Sequence, residues 1–261
     1  MSAPETTTDP RRRRRLILGG AVVVVIAVIA AGLWWFFRDD APAEVSLETA
    51  TEQVTGGDEA DDGGADVEAE IEPGDVELPG TWSVDTSLGD FDFESATGSF
   101  AGFRVEEELS TIGSTTAVGR TGGVAGTLEL EGTTLVAAEI SADLSQITTN
   151  DSRRDSRARG ALDTDQFPLA TFVLTSPVEF PEGAADGDAI QVLASGDLTI
   201  KGVTQAVEFP LEAQLVNGVI VVVGSLDVVF SDFDVTVPSA PIVVSVDDEG
   251  VLELQLLFTK A

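Results

Sequence analysis

From residue 80 to the end of the chain, apolar and polar side chains alternate with a period of two. Because successive side chains of a β-strand point to opposite faces of a sheet, this alternation indicates strands with one face buried and the other in water. The pattern is clearest in residues 136–144, 190–200, 207–215 and 252–258. Further strands are predicted at residues 81–85, 99–109, 124–130, 171–178 and 219–230. About eight or nine strands in this length predict an antiparallel sandwich or a closed barrel.

Local signals divide these strands. Glu131-Gly132, Asn217-Gly218 and Glu249-Gly250 are glycine-containing pairs of the kind that connect hairpin strands. Pro210 cannot donate a backbone hydrogen bond, so it is expected at an edge position or a bulge. Residues 148–164 lack the alternation and begin with polar capping residues, which predicts a short helix or an ordered loop across the end of the sheet.

The composition excludes several classes of function. The chain has no Cys and no His, so thiolate nucleophiles, Ser-His-Asp triads and His- or Cys-ligated metal sites are absent. No converging set of carboxylates and bases replaces them, and we therefore expect neither an enzyme nor a metal protein. A formal net charge of -32 also argues against nucleic acid as a partner, because binding phosphates requires clustered Lys and Arg.

An uncharged run covers residues 16–37 and ends in Trp-Trp-Phe-Phe. As a helix it would be roughly 33 Å long, which is enough to cross a hydrocarbon core of about 30 Å. Five arginines precede it within the basic tail of residues 1–15. The positive-inside rule then places the N-terminus in the cytoplasm and the β domain outside, as in a single-pass membrane protein. A cleaved signal peptide is the alternative, although its apolar region is typically shorter, about 7–15 residues.

Residues 38–79 connect this run to the β domain. Residues 39–80 hold 15 acidic side chains and no basic one, with Gly, Ala, Thr and Pro among the rest. Such a segment repels itself and has too few apolar groups to offset the entropy of ordering. We predict an acidic, disordered linker that tethers the domain of residues 80–261 near the membrane.

Four segments of the β domain carry recognisable motifs. They are W-S-V-D at residues 82–85, T-N-D-S-R-R-D through F-P-L-A-T-F at residues 149–172, G-D-L-T-I-K-G-V-T-Q-A-V at residues 196–207, and S-D-F-D-V at residues 231–235. In order and spacing they resemble the YceI-like family over residues 80–261. This resemblance implies an all-β, lipocalin-like barrel of eight antiparallel strands with a short helix. It also implies a cavity that binds a polyisoprenoid lipid.

Two positions depart from the family pattern. Lys201 stands where many members carry a histidine, and Asp234 replaces a glycine in the S-D-F-D-V turn. A histidine- or metal-dependent role of relatives is therefore not expected here. We expect no cofactor, unless a bound isoprenoid lipid or quinone is counted as one.

A hydrocarbon chain would lie among the apolar side chains that face the interior of such a barrel. The expected lining residues are Phe167, Phe172, Ile140, Leu198, Ile200, Phe209 and Leu254. Burying hydrocarbon contributes about 0.8 kcal/mol for each CH₂, so binding needs no specific hydrogen bond. For Phe167 and Phe172, a purely structural place in the core is the alternative.

Four arginines fall within residues 153–159 of this very acidic chain, and two interpretations remain open. In one, Arg153, Arg154 and Arg157 lie at the barrel mouth and bind the polar or anionic head of a lipid. In the other, Arg154 pairs with Asp155 or a neighbouring Asp and fixes a helix that closes the barrel end.

The sequence thus predicts a membrane-anchored, extracytoplasmic protein that holds a polyisoprenoid or isoprenoid-quinone chain in an apolar barrel cavity. The alternative is a structural or protein-interaction barrel with a packed interior and no ligand. Neither the identity of the lipid nor the oligomeric state follows from the sequence.

Overall fold

This computed structural model describes residues 41–56, 76–109, 113–237 and 243–261. They form twelve β-strands, two α-helices and the loops between them. The helices are α1 (Leu47–Gly56) and α2 (Ser152–Leu162). The strands are β1 (Gly80–Val84), β2 (Phe100–Leu109), β3 (Gly113–Thr121), β4 (Val124–Glu131), β5 (Thr134–Asp143), β6 (Thr148–Thr149), β7 (Leu169–Leu174), β8 (Val178–Glu179), β9 (Ile190–Ile200), β10 (Val203–Val216), β11 (Val219–Val229) and β12 (Val243–Lys260). Short 3₁₀ turns lie at Leu144–Gln146, Ala184–Asp186 and Phe230–Phe233.

Eight of the strands close into a barrel. Their order is β1-β4-β5-β7-β9-β10-β11-β12, and β1 also pairs with β12, so the ring has no free edge. Trp82 of β1 lies opposite Lys260 of β12 and Leu128 of β4. Every pairing in the ring is antiparallel. The predicted eight-stranded antiparallel barrel with a short helix is confirmed.

The remaining strands extend or cover this ring. The 18-residue β12 pairs with β1 near its C-terminal end and with β2 along its first part. Strands β3 and β6 continue the sheet beyond β2, while the two-residue β8 pairs with β5. Strand β3 was not predicted, because its sequence G-S-T-T-A-V-G-R-T consists mostly of small and polar residues and shows no regular alternation. The predicted helix in residues 148–164 is confirmed as α2, although its first two residues form β6.

Two of the three predicted hairpin turns are present. Gly132 has a φ of 62° between β4 and β5, and Asn217 and Gly218 have φ of 48° and 76° between β10 and β11. These left-handed conformations suit Gly and Asn. The third prediction is wrong, because Glu249-Gly250 lies inside β12. There the pairing with β2 shifts register between Val246 and Gly250, which bends the strand without ending it.

Pro210 occupies a position that tolerates a missing N–H. It lies opposite Leu193 of β9, but the pairing of β10 with β11 begins only at Leu211 and Gly224. Pro210 therefore has a paired strand on one side only, which agrees with the predicted edge position.

A strap, residues 41–56, packs on the outside of the barrel. Its helix α1 begins after Ser46, whose Oγ accepts a hydrogen bond from the backbone N–H of Thr49 at 3.3 Å. Leu47 and Ala50 are buried against the outer face of β11 and β12. The predicted disordered linker of residues 38–79 is therefore wrong for residues 41–56. The apolar spacing of Leu47, Ala50 and Val54 was enough to order a segment that composition assigned to the linker.

The strap also explains an irregular strand. Residues 219–223 of β11 are buried on both faces, as V-I-V-V-V, instead of alternating. Ile220 and Val222 face the barrel core, whereas Val219, Val221 and Val223 contact the strap. A continuous apolar run is typical of a strand that is covered on both sides.

The predicted basic tail, the apolar run of residues 16–37 and the middle of the predicted linker, residues 57–75, lie outside the described residues. Within the part of the chain that is described, no helix has the length and apolar character needed to cross a membrane. The predicted anchor stays a prediction.

Candidate functional site

The interior of the barrel is lined by apolar side chains and holds two cavities. Inward-facing residues recur at every second position of the ring strands, as the period of two requires. The first cavity, here called the first chamber, has a volume of about 110 Å³, and the second chamber has about 120 Å³. The barrel is thus neither an open tube nor completely filled.

The first chamber lies toward the end of the barrel that is formed by residues 178–188 and by the turn between β10 and β11. Side chains from most of the ring strands line it, among them Leu128, Ala138, Leu174, Leu215 and Leu256. Its polar lining residues are Asp188 and Gln214. Gln214 donates from its Nε2 to the carbonyl oxygen of Gly187 at 3.0 Å, which leaves the chamber wall almost wholly apolar.

The second chamber lies toward the opposite end, which α2 and the 3₁₀ turn Phe230–Phe233 cover. Leu144, Ile147 and Leu162 contribute to its wall from the helical side, and Leu198 and Ile200 contribute from β9. Thr171 and Glu253 are its polar lining residues. The Glu253 carboxylate is bound by Arg120, whose Nε lies 2.6 Å from Glu253 Oε1.

A partition of four side chains separates the chambers. Ile140, Phe172, Phe209 and Leu254 line both chambers. The rings of Phe172 and Phe209 form an edge-to-face pair with centroids 6.1 Å apart and an interplanar angle of 85°. All four residues were predicted from the sequence to line the cavity, and so were Leu198 and Ile200, which line the second chamber. Contact of any of them with a lipid chain stays a prediction.

Phe167 does not belong to this set. Among the described residues it borders neither chamber. Its ring instead lies over the turn between β9 and β10, where a Cβ added to Gly202 would come within 2.6 Å of the Phe167 Cε1. The prediction that Phe167 lines the cavity is wrong. Phe167 follows α2 in the sequence, outside the strands whose alternation selects inward positions.

Helix α2 carries the arginine cluster and closes the barrel end. Asp151 caps its N-terminus and accepts from the backbone N–H of Arg153 at 3.0 Å. Burial acts to raise the pKa of Asp151, but hydrogen bonds from the Arg153 backbone and side chain, with the charges of Arg153 and Arg154, outweigh it and hold the pKa below its usual value. At neutral pH this carboxylate is therefore charged, as a helix N-terminus favours.

Arg154 is the arginine of this cluster that ties the helix to the sheet. Its Nη2 lies 2.7 Å from Glu107 Oε2 on β2, and its Nη1 donates to Asn150 Oδ1 at 2.7 Å. The expected pairing of Arg154 with Asp155 or a neighbouring Asp is wrong. Asp155 instead accepts hydrogen bonds from the backbone N–H and the hydroxyl of Thr149.

The other three arginines of the cluster form no ion pair with the sheet among the described residues. Arg153 pairs with Asp151 across 3.2 Å, but its side chain is 87% exposed. Arg157 is exposed, and Arg159 donates to the carbonyl oxygen of Ile147 at 3.1 Å. The structure thus brings only Arg154 of the three predicted head-group residues next to a cavity.

That cavity is a third pocket of about 70 Å³ beside α2. Arg154 and Glu107 line it together with apolar side chains. Phe103, Leu162, Phe230 and Val235 line both this pocket and the second chamber. The pair Arg154–Glu107 therefore lies one layer of side chains away from the apolar interior. Sequence reasoning missed Glu107, because 47 residues separate it from Arg154 and no local pattern links them.

Lys201 has a structural contact. Its Nζ donates to the carbonyl oxygen of Asp234 at 2.7 Å, and thereby connects the turn after β9 to the S-D-F-D-V turn. Asp234 itself adopts a left-handed conformation with a φ of 54°. No group of His, Cys, Asp and Glu side chains suited to a metal ion occurs within the described segments.

Comparisons with known proteins agree with this architecture. The sequence profile of the YceI-like domain matches residues 82–258. Among solved structures, the chain is similar to a polyisoprenoid binding domain from Saccharophagus degradans implicated in plant cell wall breakdown, at 19% identity, with 69% of this chain and 98% of that chain covered and a TM-score of 0.52. It is also similar to Burkholderia cenocepacia BcnA, at 19% identity, with 67% and 98% covered and a TM-score of 0.48. The search of curated proteins finds no match. At 19% identity, the Saccharophagus degradans structure shows the fold alone.

Proposed function

The chain belongs to the YceI-like domain family, and from this premise we propose that its barrel binds an isoprenoid lipid with the hydrocarbon chain in the two chambers. The observation that carries the proposal is an apolar, incompletely filled interior inside a closed eight-stranded ring. Eight strands leave room either for side chains that fill the interior or for one slim ligand. The family is one of binding proteins rather than enzymes.

The chemistry of the lining suits a hydrocarbon. The hydrocarbon chain of a polyisoprenoid or isoprenoid quinone neither donates nor accepts hydrogen bonds, and the chamber walls contain few polar side chains. Each buried CH₂ contributes about 0.8 kcal/mol, which ordering of the flexible chain offsets in part. Affinity would therefore come from apolar contact along the chain.

The third pocket is the proposed place of the polar end of the lipid. A guanidinium has five N–H donors, and Arg154 uses donors on Nη1 and Nη2 for Asn150 and Glu107. A further donor can therefore reach a hydroxyl or carbonyl oxygen of a ligand. Because Glu107 already balances the charge of Arg154, a neutral head such as a prenol hydroxyl or a quinone carbonyl fits better than a phosphate.

A pair of adjacent alanines on β5 tests the proposal. Ala138 is buried and lines the first chamber, whereas Ala137 is exposed on the other face of the same strand. Replacing Ala138 by Leu fills part of the chamber and should weaken binding of the prenol farnesol by about tenfold or more, since overpacked interiors cost roughly 1–3 kcal/mol. Ala137→Leu should leave the affinity unchanged. The measurement is the bound fraction of the full-length protein by native mass spectrometry.

Two results would contradict the proposal. One is equal affinity of the two variants and the unchanged protein, which would place farnesol outside the chamber. The other is no binding of any isoprenoid to the unchanged protein. The second result would favour the alternative, a structural or protein-interaction barrel, for which the side chains of the partition already provide partial packing.

We further propose that residues 16–37 anchor the protein in the cell membrane with the barrel on the extracytoplasmic side. The uncharged run and the five arginines before it support this arrangement. Deleting residues 16–37 should move the protein from the membrane fraction to the soluble fraction, whereas deleting residues 57–75 should not. Recovery of the unchanged full-length protein in the soluble fraction would refute the anchor.

A further inference from the structure

The two aromatic rings of the partition come from the two strands that flank β9 in the barrel wall. Phe172 lies on β7 and Phe209 on β10, on either side of β9, and both rings reach the boundary of the two chambers. Their edge-to-face arrangement, with centroids 6.1 Å apart, is a preferred geometry for aromatic rings. The two rings therefore stabilise each other in the position that divides the interior.

Each ring rests on a glycine of a neighbouring strand. A Cβ added to Gly196 of β9 would collide with the ring carbons Cζ and Cε2 of Phe172. A Cβ added to Gly224 of β11 would come within 2.9 Å of Phe209 Cε1. Both glycines lie diagonally opposite their ring, since Gly196 pairs with Leu174 and Gly224 pairs with Leu211. The missing side chains make room for the rings, so several residues together hold the partition in place.

The size of each chamber limits how much hydrocarbon can bind without moving the partition. An apolar cavity of about 150 Å³ engineered in another protein holds a single benzene molecule. Chambers of about 110 and 120 Å³ are of that order, so each holds one short branched segment of hydrocarbon. A chain of several isoprene units can enter both chambers only where the rings of Phe172 and Phe209 separate.

We propose that the Phe172–Phe209 partition determines the length of isoprenoid chain that the barrel accepts. This inference rests on the proposed function and adds a specificity determinant to it. A short chain occupies one chamber and leaves the ring pair intact. A long chain must separate the pair, and the loss of an edge-to-face contact corresponds to roughly two- to tenfold in an equilibrium constant. The partition thus disfavours long chains relative to short ones.

The test compares a prenol of one isoprene unit, dimethylallyl alcohol, with a longer one of three units, farnesol, on the full-length protein. Phe172→Leu and Phe209→Leu remove the ring pair but keep an apolar side chain, and each should raise the affinity for farnesol relative to dimethylallyl alcohol by about two- to tenfold. Phe167→Leu is the matched control, because Phe167 borders neither chamber. Its affinity ratio should equal that of the unchanged protein.

Native mass spectrometry with both prenols present gives the ratio directly, and circular dichroism identifies the folded variants. If both prenols bind and neither partition variant changes their ratio, the inference fails while the proposed function stands. If neither prenol binds the unchanged protein, the proposed function fails and the inference with it. A change of ratio in Phe167→Leu as large as in the partition variants would also overturn the inference.

Discussion

Replacing Arg120 by Met is expected to lower the free energy of unfolding by about 3–5 kcal/mol, the range observed when one partner of a buried ion pair is removed. Arg120 has no exposed surface, and Glu253 is 2% exposed. Glu253 Oε1 lies 2.6 Å from Arg120 Nε. Without Arg120, the remaining cation near the carboxylate is Arg104, with Nη1 at 3.6 Å from Oε2. Chemical denaturation followed by circular dichroism measures the change.

Arg120 also links the strap to the barrel, which adds to the expected loss. Its Nη2 donates to the carbonyl oxygen of Ala43 at 2.6 Å, and its Nη1 donates to that of Phe93 at 3.1 Å. The guanidinium carbon lies 4.7 Å from the centroid of the Phe100 ring. The substitution therefore leaves the buried Glu253 carboxylate with only the more distant Arg104 as a charged partner among the described residues. It also removes a hydrogen bond to the carbonyl of Phe93 and one to that of Ala43, which keeps a 3.4 Å hydrogen bond from Arg104 Nη1. Each loss is unfavourable.

A double variant separates these contributions. Replacing a buried ion pair as a whole by apolar residues is often close to neutral. Arg120→Met combined with Glu253→Leu should therefore be more stable than Arg120→Met alone. The exposed Arg157→Met is the control, with an expected change within about 0.5 kcal/mol. A loss below about 1 kcal/mol in Arg120→Met would show that the pair is not a major determinant of stability.

Arg154→Gln is expected to lower the free energy of unfolding by about 2 kcal/mol, because hydrogen bonds to charged groups contribute roughly 1.5–3 kcal/mol. The Arg154 side chain is 19% exposed and that of Glu107 is 9% exposed, so solvent screens the pair only in part. The loss would free the N-terminal part of α2 from β2. Thermal and chemical unfolding of the full-length protein measure it.

Arg153→Gln is the matched control for Arg154→Gln, one position earlier on the same helix. Arg153 is 87% exposed, and exposed ion pairs contribute at most about 1 kcal/mol. The two interpretations of the arginine cluster differ in a second measurement. If Arg154 also binds the lipid head, Arg154→Gln should weaken binding of farnesol relative to a hydrocarbon of the same length without a hydroxyl. Equal weakening for both ligands, or none for either, would leave Arg154 a structural role only.

The strands that line the chambers were predictable because one face of each strand is apolar and buried and the other is polar and exposed. Residues 136–144, 190–200 and 207–215 alternate since one face meets the lumen and the other meets water. That rule selected Ile140, Leu198, Ile200, Phe209 and Leu254, which the structure places in the walls of the chambers together with Phe172. Their contact with a lipid chain stays a prediction. Phe167 was predicted to line the cavity, but it lies in the connection between α2 and β7, where the alternation of strand residues does not apply.

Segments whose environment is set by a distant part of the chain were harder to predict. The composition of the strap is that of an acidic linker, and its ordered structure depends on packing against the apolar outer face of β11. Strand β3 carries little apolar material, yet its Arg120 anchors the buried ion pair. Glu249-Gly250 looks like a turn, but its pairing with β2 and β11 keeps the chain extended.

The amino-acid sequence alone determined the class of the fold, the family, the exclusion of His and Cys chemistry and most of the apolar lining, because periodicity, motifs and composition are properties of neighbouring residues. Only the tertiary structure decided that Arg120 meets Glu253, that Arg154 meets Glu107, and that Phe172 and Phe209 divide the interior in two. These pairs join residues 37 to 133 positions apart, as the residue numbers show. Barrel closure and strand register bring them together, and neither is encoded in any local pattern.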